Sequence, residues 1–239
     1  MTFNIKELDF QSTPLGDISL RMRAEPRLNG KILYEVKLGD EFLMSSLFTE
    51  AEIQLSKLAL LELEGDKLEI IVGGLGLGYT AAAALEDDQV TSLTVIDVMQ
   101  PVIDWHNNCL VPLGETLSQD PRCELRLGDF FAIATQSDCG FYPEQPDRLV
   151  DAILLDIDHS PSHWLNEENS QFYTEASLQA MADKLKPGGL FGLWSNDPPD
   201  KSFEDLLGSV FNSISSHIVS FPNPFREQES TNSVYLAKL

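Results

Sequence analysis

Three aspartates stand where short strand-like segments end: Asp97 after SLTVI, Asp129 after CELRLG and Asp156 after VDAILL. A carboxylate in such a place can accept hydrogen bonds from ribose hydroxyls or an amino group, offset a cation, or take a proton. Upstream, LEIIVGGLGLGYTAAAAL (68–85) leads an apolar stretch into Gly73, Gly74, Gly76 and Gly78 and then into alanines. Glycines serve where φ is positive or where backbone must come close to a ligand, and the helix that follows offers free N–H groups. In sheets of this kind ligands bind beyond the carboxyl ends of the strands, so the turn and the three acids face one crevice. The pattern assigns Gly74, Gly76 and Gly78 to a nucleoside. Asp97, 19 residues past Gly78, suits both ribose hydroxyls and Asp129 suits an adenine amino group, with Val98 and Phe130 beside them. Asp156 lies nearest the reacting centre, where it can stabilise a sulfonium or an ammonium or take a proton.

Each acid taken singly also fits a helix N-cap or a solvated loop; three in register with a glycine turn point to a site. A nicotinamide dinucleotide is the competitor, but its fingerprint is GxGxxG, and here Tyr79 stands in the place of the last glycine of a register begun at Gly74. The acids after the third and fourth strands favour S-adenosylmethionine or a close relative instead. Asp158, His159 and His163 follow Asp156 in a Ser/Pro loop. No helix there would place both rings on one face, so a metal is not expected and a cavity-lining role is assigned to His159. Trp105 and His106 read as packing residues of a helix. Phe221, Pro222 and Phe225 suit either a cover over the crevice or packing under the last hairpin.

The positioning elements follow from periodicity. Segments 17–23 and 32–46 alternate as strands, with Gly39-Asp40 as a hairpin turn. Ile53, Leu55, Leu58, Leu61 and Leu63 then recur near helical spacing up to Gly65. Strands are expected at 68–73, 92–97, 123–128, 150–156 and 189–195, with helices at 79–87, 101–110, 129–136 and 174–186. The last helix is read as closed by Lys186-Pro187-Gly188-Gly189. A helix near 201–211 and strands near 214–221 and 232–238 complete the chain, and residues 136–147 read as a surface insertion. The expectation is an α/β fold: a doubly wound, mostly parallel seven-stranded sheet over 65–239, with a small β appendage and connecting helix over 1–64.

The chain has 239 residues, enough for one such domain and its appendage, and carries 16 basic against 38 acidic residues. Residues 1–64 hold 7 basic and 11 acidic residues, so the remainder carries a net −18. A surface of that sign repels phosphate backbones and anionic lipid, which argues against nucleic acid or a membrane as partner; it would attract a cation, but a soluble acidic surface accounts for the charge by itself. Cys109, Cys123 and Cys139 have neither CxxC spacing nor an even count, and MTFNIKELDF has no apolar h-region. Both point to the cytoplasm.

GGLGLG, VID, LGDFF, AILLDID and LKPGGLF together resemble the class I methyltransferase-fold proteins and, within them, the spermidine synthase group of polyamine aminopropyltransferases. The resemblance covers most of the chain, including LYEVKLGDEFLMSS of the appendage. It implies a nucleoside site built by Gly74, Gly76, Gly78, Asp97 and Asp129 and a catalytic or acceptor-binding Asp156. It also implies S-adenosylmethionine or its decarboxylated form as co-substrate without a metal, and a small-molecule, cationic amine as acceptor; a homodimer is compatible with it. Departures are specific. The group's Asp-Ser-Ser-Asp-Pro-like loop reads DIDHSP, so His159 takes the second acid's place, with Asp158 one residue earlier. There is no Tyr or His between Glu35 and Gly78, and Met44 stands where a Gln is expected. The implied activity is aminopropyl transfer to an amine other than putrescine, or one for which putrescine is the poorer substitute. Methyl transfer to a small molecule is the alternative within the fold. A non-catalytic nucleoside sensor is the alternative of another class.

Overall fold

Alternating propensity at the N-terminus becomes a four-stranded antiparallel meander in the computed structural model, which describes residues 5–137 and 139–239. Its strands are β1 (Ile5–Thr13), β2 (Gly16–Glu25), β3 (Lys31–Leu38) and β4 (Glu41–Ser45). The Gly39-Asp40 turn is where expected, with Leu38 opposite Glu41. β1 escaped the sequence reading because it is largely exposed on both faces and so shows no alternation.

The helix after it, α1 (Glu50–Glu62), buries Ala51, Glu52, Leu55, Ser56 and Ala59 against β9 and β11 of the main sheet, defined below. Leu61, counted among the helical apolar positions, is 81% exposed. Leucines on both faces conceal which stripe is inward, and the true stripe carries a glutamate and a serine.

Beyond it come β5 (Leu68–Gly73), α2 (Tyr79–Leu85), β6 (Val90–Asp97), α3 (Gln100–Asn107), α4 (Gly114–Gln119) and β7 (Cys123–Leu127). They are followed by α5 (Phe130–Thr135), β8 (Val150–Leu155), α6 (Glu175–Ala182), β9 (Leu185–Ser195), α7 (Lys201–Gly208), β10 (Ser213–Phe221) and β11 (Ser230–Lys238). The sheet runs β10-β11-β9-β8-β5-β6-β7, parallel except that β11 is antiparallel to both its neighbours. This is the doubly wound, mostly parallel seven-stranded sheet that was expected. Successive residues of β5 face opposite sides: Ile70 and Val72 join one core with Ile18, Leu55 and Trp105, while Ile71 joins the other with Phe130, Phe172 and Phe191. No helix of the described residues is long and apolar enough to cross a membrane.

Two expectations are corrected. The helix assigned to 174–186 ends at Ala182, and Lys186–Gly189 belong to β9. Val150 pairs with Leu185 but Ala152 with Leu190, so those four residues bulge out of the strand. Residues 136–147 are not simply a surface insertion: Phe141 and Tyr142 are buried, and the Phe141 ring stacks on Phe130.

Candidate active site

The glycine turn is shaped by what presses on it. Gly74 has φ +95°, and a Cβ there would run into the main-chain carbonyl of Asp156. The Phe130 ring lies against Gly73, and the Met44 sulfur against Gly76. Met44, from β4, accepts the Leu77 N–H at 3.1 Å, so the appendage is fastened to the turn itself. His106 donates from Nε2 to the Gly76 carbonyl at 3.0 Å. Burial pushes its pKa down to about 4, keeping the ring neutral. Gly78 caps α2 against Leu117 and His106 and does not line the cavity.

Asp97 closes β6 and ties the turn to it, accepting the Leu75 N–H at 2.9 Å and the Met99 N–H at 2.8 Å. Burial raises its pKa. Val98 beside it is half exposed to the cavity. Asp129 both caps α5, accepting the Ala132 N–H at 3.1 Å, and lines the cavity, so the two readings of that residue coexist. Phe130 is buried under Gly73. Asp156, one residue past β8, accepts the Thr80 hydroxyl at 2.6 Å, and burial raises its pKa.

One acid was missed. Glu52 of α1 is 7% exposed, lines the same cavity, and has its pKa pushed up by burial and by the charge of Asp156. Its signal in the sequence was a carboxylate one helical turn before Ser56 and two before Ala59, inside the stripe that packs. Tyr79, at the start of α2, lines the cavity nearby, and burial and Glu52 raise its pKa.

Other assigned residues go elsewhere. Asp158 is buried and does not line the cavity: it accepts from Leu165 N–H, Asn169 Nδ2 and Tyr173 OH at 2.8–2.9 Å and anchors the loop after β8. His159 does line the cavity, and its Nε2 lies 2.8 Å from Glu41 Oε1 of β4. His163 Nδ1 pairs with Asp197 at 2.9 Å, so the two rings engage different carboxylates. Trp105 and His106 are fully buried packing residues, as expected. Phe221 lines the cavity and lies 5.7 Å from Phe48, whereas Phe225 carries the Arg27 guanidinium on its face.

The resulting cavity, about 1130 Å³, lies at the carboxyl ends of β5, β6 and β8, roofed by the appendage and by the β10–β11 loop. Its acidic lining is Glu52, Asp97, Asp129, Asp156, Glu167 and Glu229, against the guanidinium of Arg226. An acidic chamber of this size, with a glycine turn at one end, can hold a nucleoside and a cation together.

No protein-family model matches the chain. Polyamine aminopropyltransferase 2 of Pseudomonas aeruginosa is 24% identical over 188 residues, covering 74% of this chain and 48% of that protein. The chain therefore spans about half the length of the curated relative it matches. Among solved structures, a spermidine synthase in complex with the transition state analogue AdoDATO superposes with a TM-score of 0.73 at 18% identity, covering 100% of this chain and 75% of that one. Spermidine synthase from Thermotoga maritima gives 0.70 at 17% identity, covering 98% and 72%. The chain thus shares the fold of the spermidine synthases, and the likeness extends over its N-terminal sheet.

Proposed function

We propose that the chain is a transferase that moves an aminopropyl group from decarboxylated S-adenosylmethionine to the nitrogen of a cationic amine. The observation that carries this reading is the acidic cavity beyond the glycine turn, lined by Asp156 and, among the described residues, by no lysine. The nucleoside lies over Gly74 and Gly76, with Asp97 toward the ribose, Asp129 toward the adenine, and Val98 and Phe130 beside it. S-adenosylmethionine itself carries a carboxylate that needs a cation, and the one lining arginine among the described residues, Arg226, sits on the exposed loop between β10 and β11. The decarboxylated donor brings positive charge only, which suits this lining.

The reaction needs alignment more than bond-making by the protein. Asp156 takes a proton from the acceptor ammonium, the freed lone pair attacks the carbon next to the sulfonium, and the carbon–sulfur bond leaves its electrons on sulfur. Positive charge on sulfur is lost and reappears on the alkylated nitrogen, so charge balances. Putrescine is a poor acceptor in this reading. The second acid expected of the loop after β8 is replaced by His159, which is held by Glu41, and Met44 is committed to the glycine turn. A small-molecule acceptor in the cytoplasm, rather than nucleic acid or membrane, fits the net charge of −22.

Calorimetric titration with S-adenosylmethionine, its decarboxylated form and methylthioadenosine, followed by turnover with putrescine, tests the reading. The decarboxylated donor is expected to bind at least about 10-fold tighter than S-adenosylmethionine, a difference of about 1.4 kcal/mol. Putrescine is expected to turn over with kcat/KM below about 10⁴ M⁻¹s⁻¹. Preference for S-adenosylmethionine would move the assignment to methyl transfer. Tight nucleoside binding without turnover of any amine would make the chain a sensor.

A further inference from the structure

Glu52 is a carboxylate without a counter-ion in a place where a counter-ion is needed. It is 7% exposed, it lines the cavity, and among the described residues no lysine or arginine is within ion-pair reach of it or of Asp156. Three elements converge to hold the two acids together. Ser56 of α1 donates its hydroxyl to the Thr80 carbonyl of α2 at 2.6 Å. The Thr80 hydroxyl in turn donates to Asp156 Oδ2 at 2.6 Å and lies 3.4 Å from the main-chain oxygen of Glu52. One Asp156 oxygen is thereby engaged and the other is left toward the cavity.

A buried, unpaired carboxylate costs several kcal/mol and is retained only where something offsets it. A proton can do so: burial raises both groups, and the charge of Asp156 raises Glu52 further. A cation would do so better, and it would find an apolar wall beside it, because Ile18, Leu38 and Leu43 of the appendage line the same cavity.

We infer that Glu52 is the second carboxylate of the amine site, so that Glu52 and Asp156 together grip the nitrogen of a primary alkylammonium whose carbon chain lies against Ile18, Leu38 and Leu43. This inference rests on the aminopropyl-transfer reading of the same cavity. It moves the second acid from the loop after β8, where His159 now stands, to helix α1. On binding, the pair surrenders its shared proton and both acids ionise around the ammonium. During transfer the pair takes one proton from the nitrogen, whose lone pair forms the new carbon–nitrogen bond as the carbon–sulfur bond breaks.

The test uses the full chain saturated with methylthioadenosine and titrated with n-hexylamine, 1,5-diaminopentane and putrescine in buffers of different ionisation enthalpy. The titratable groups facing Glu52 are Asp156 after β8, Glu50 on its own helix and Tyr79 at the start of α2. At least one amine should bind the wild type with release of about one proton. Glu52→Gln should bind methylthioadenosine within about 2-fold of wild type yet lose at least about 30-fold in affinity for that amine, the scale for removing one partner of a buried charge pair. Its proton release should vanish. Glu52→Asp keeps the charge and should lie between the two. Should Glu52→Gln fail to fold, as judged by loss of methylthioadenosine binding, the Asp variant carries the comparison: wild-type amine affinity or loss of nucleoside and amine binding in parallel would overturn the inference. So would unchanged amine binding in Glu52→Gln, equal losses in the two variants, or no amine binding to a wild type that binds methylthioadenosine. Failure of methylthioadenosine to bind the wild type would instead bring down the functional reading beneath it.

Discussion

At the scale of single residues, the informative groups are those the fold holds neutral against their ordinary preference. His106 is a base with a lowered pKa, about 4 against an ordinary 6.5, so it contributes stability that is lost as pH falls through that interval. Glu52 is an acid raised by burial and by the charge of Asp156, and Asp156 is raised by burial. The folded protein holds their proton where the unfolded chain has released it, so their contribution is full below the ordinary 4.5 of Glu52 and is lost as pH rises above it. Asp97 and Asp158 are raised as well, so the comparison must be of variant against wild type. Without ligand, Glu52→Gln should be the more stable protein, with a margin that widens from pH 5 to pH 8 to on the order of 1 kcal/mol or more. Thermal midpoints at the two pH values check this, each kcal/mol being worth about 2–4 °C in a chain of this size. Asp97 and Asp156 were legible in the sequence because each follows an apolar run that reads as a buried strand, and Asp129 because it follows the next strand in register, an exposed edge strand. Glu52 was not, because a glutamate on a helix looks like a solvated charge until the inward stripe is known. Asp158 looked like a site residue for the opposite reason, standing two positions from Asp156 while its hydrogen bonds all serve the loop.

At the scale of elements, β5, the glycine turn and α2 were legible together because glycine spacing and hydrophobic run agree. Gly74 shows why the spacing is strict, since both its φ of +95° and the Asp156 carbonyl exclude a side chain. Gly74→Ala should cost about 1–3 kcal/mol or more by chemical denaturation and should remove methylthioadenosine binding measured by calorimetry. Gly188→Ala is the control: φ is +76° there as well, but nothing lies within 4 Å, so only the left-handed strain of about 1–2 kcal/mol remains and nucleoside binding should persist. The end of α6 was misread because Lys-Pro-Gly-Gly looks like a helix terminator, while the structure uses those residues as a bulge inside β9. A terminator and a bulge both need residues that tolerate irregular backbone, so composition does not separate them.

At the scale of the whole molecule, the cavity is walled by residues from Pro14 to Asn232, so nearly the whole chain must be in place before it exists. The sheet does not close in chain order. Its last strand, β11, is not an edge but sits between β9 and β10, burying Val234 and Tyr235 almost completely. The order of assembly follows from this. As the chain is synthesised, β9 presents Leu190, Phe191 and Leu193 on an open edge until the nine residues of β11 arrive to pair with it. An unpaired apolar edge is a template for another chain, and the long sequence separations of the sheet keep it waiting. Ending the chain at Glu229 should therefore yield insoluble protein, whereas removing residues 5–13, an exposed outer strand, should leave the main sheet soluble with its far-ultraviolet dichroism largely intact. β11 thus acts as the stitch that closes an adhesive edge, and any chain in which it is missing or unpaired carries an almost finished sheet that clings to its neighbours.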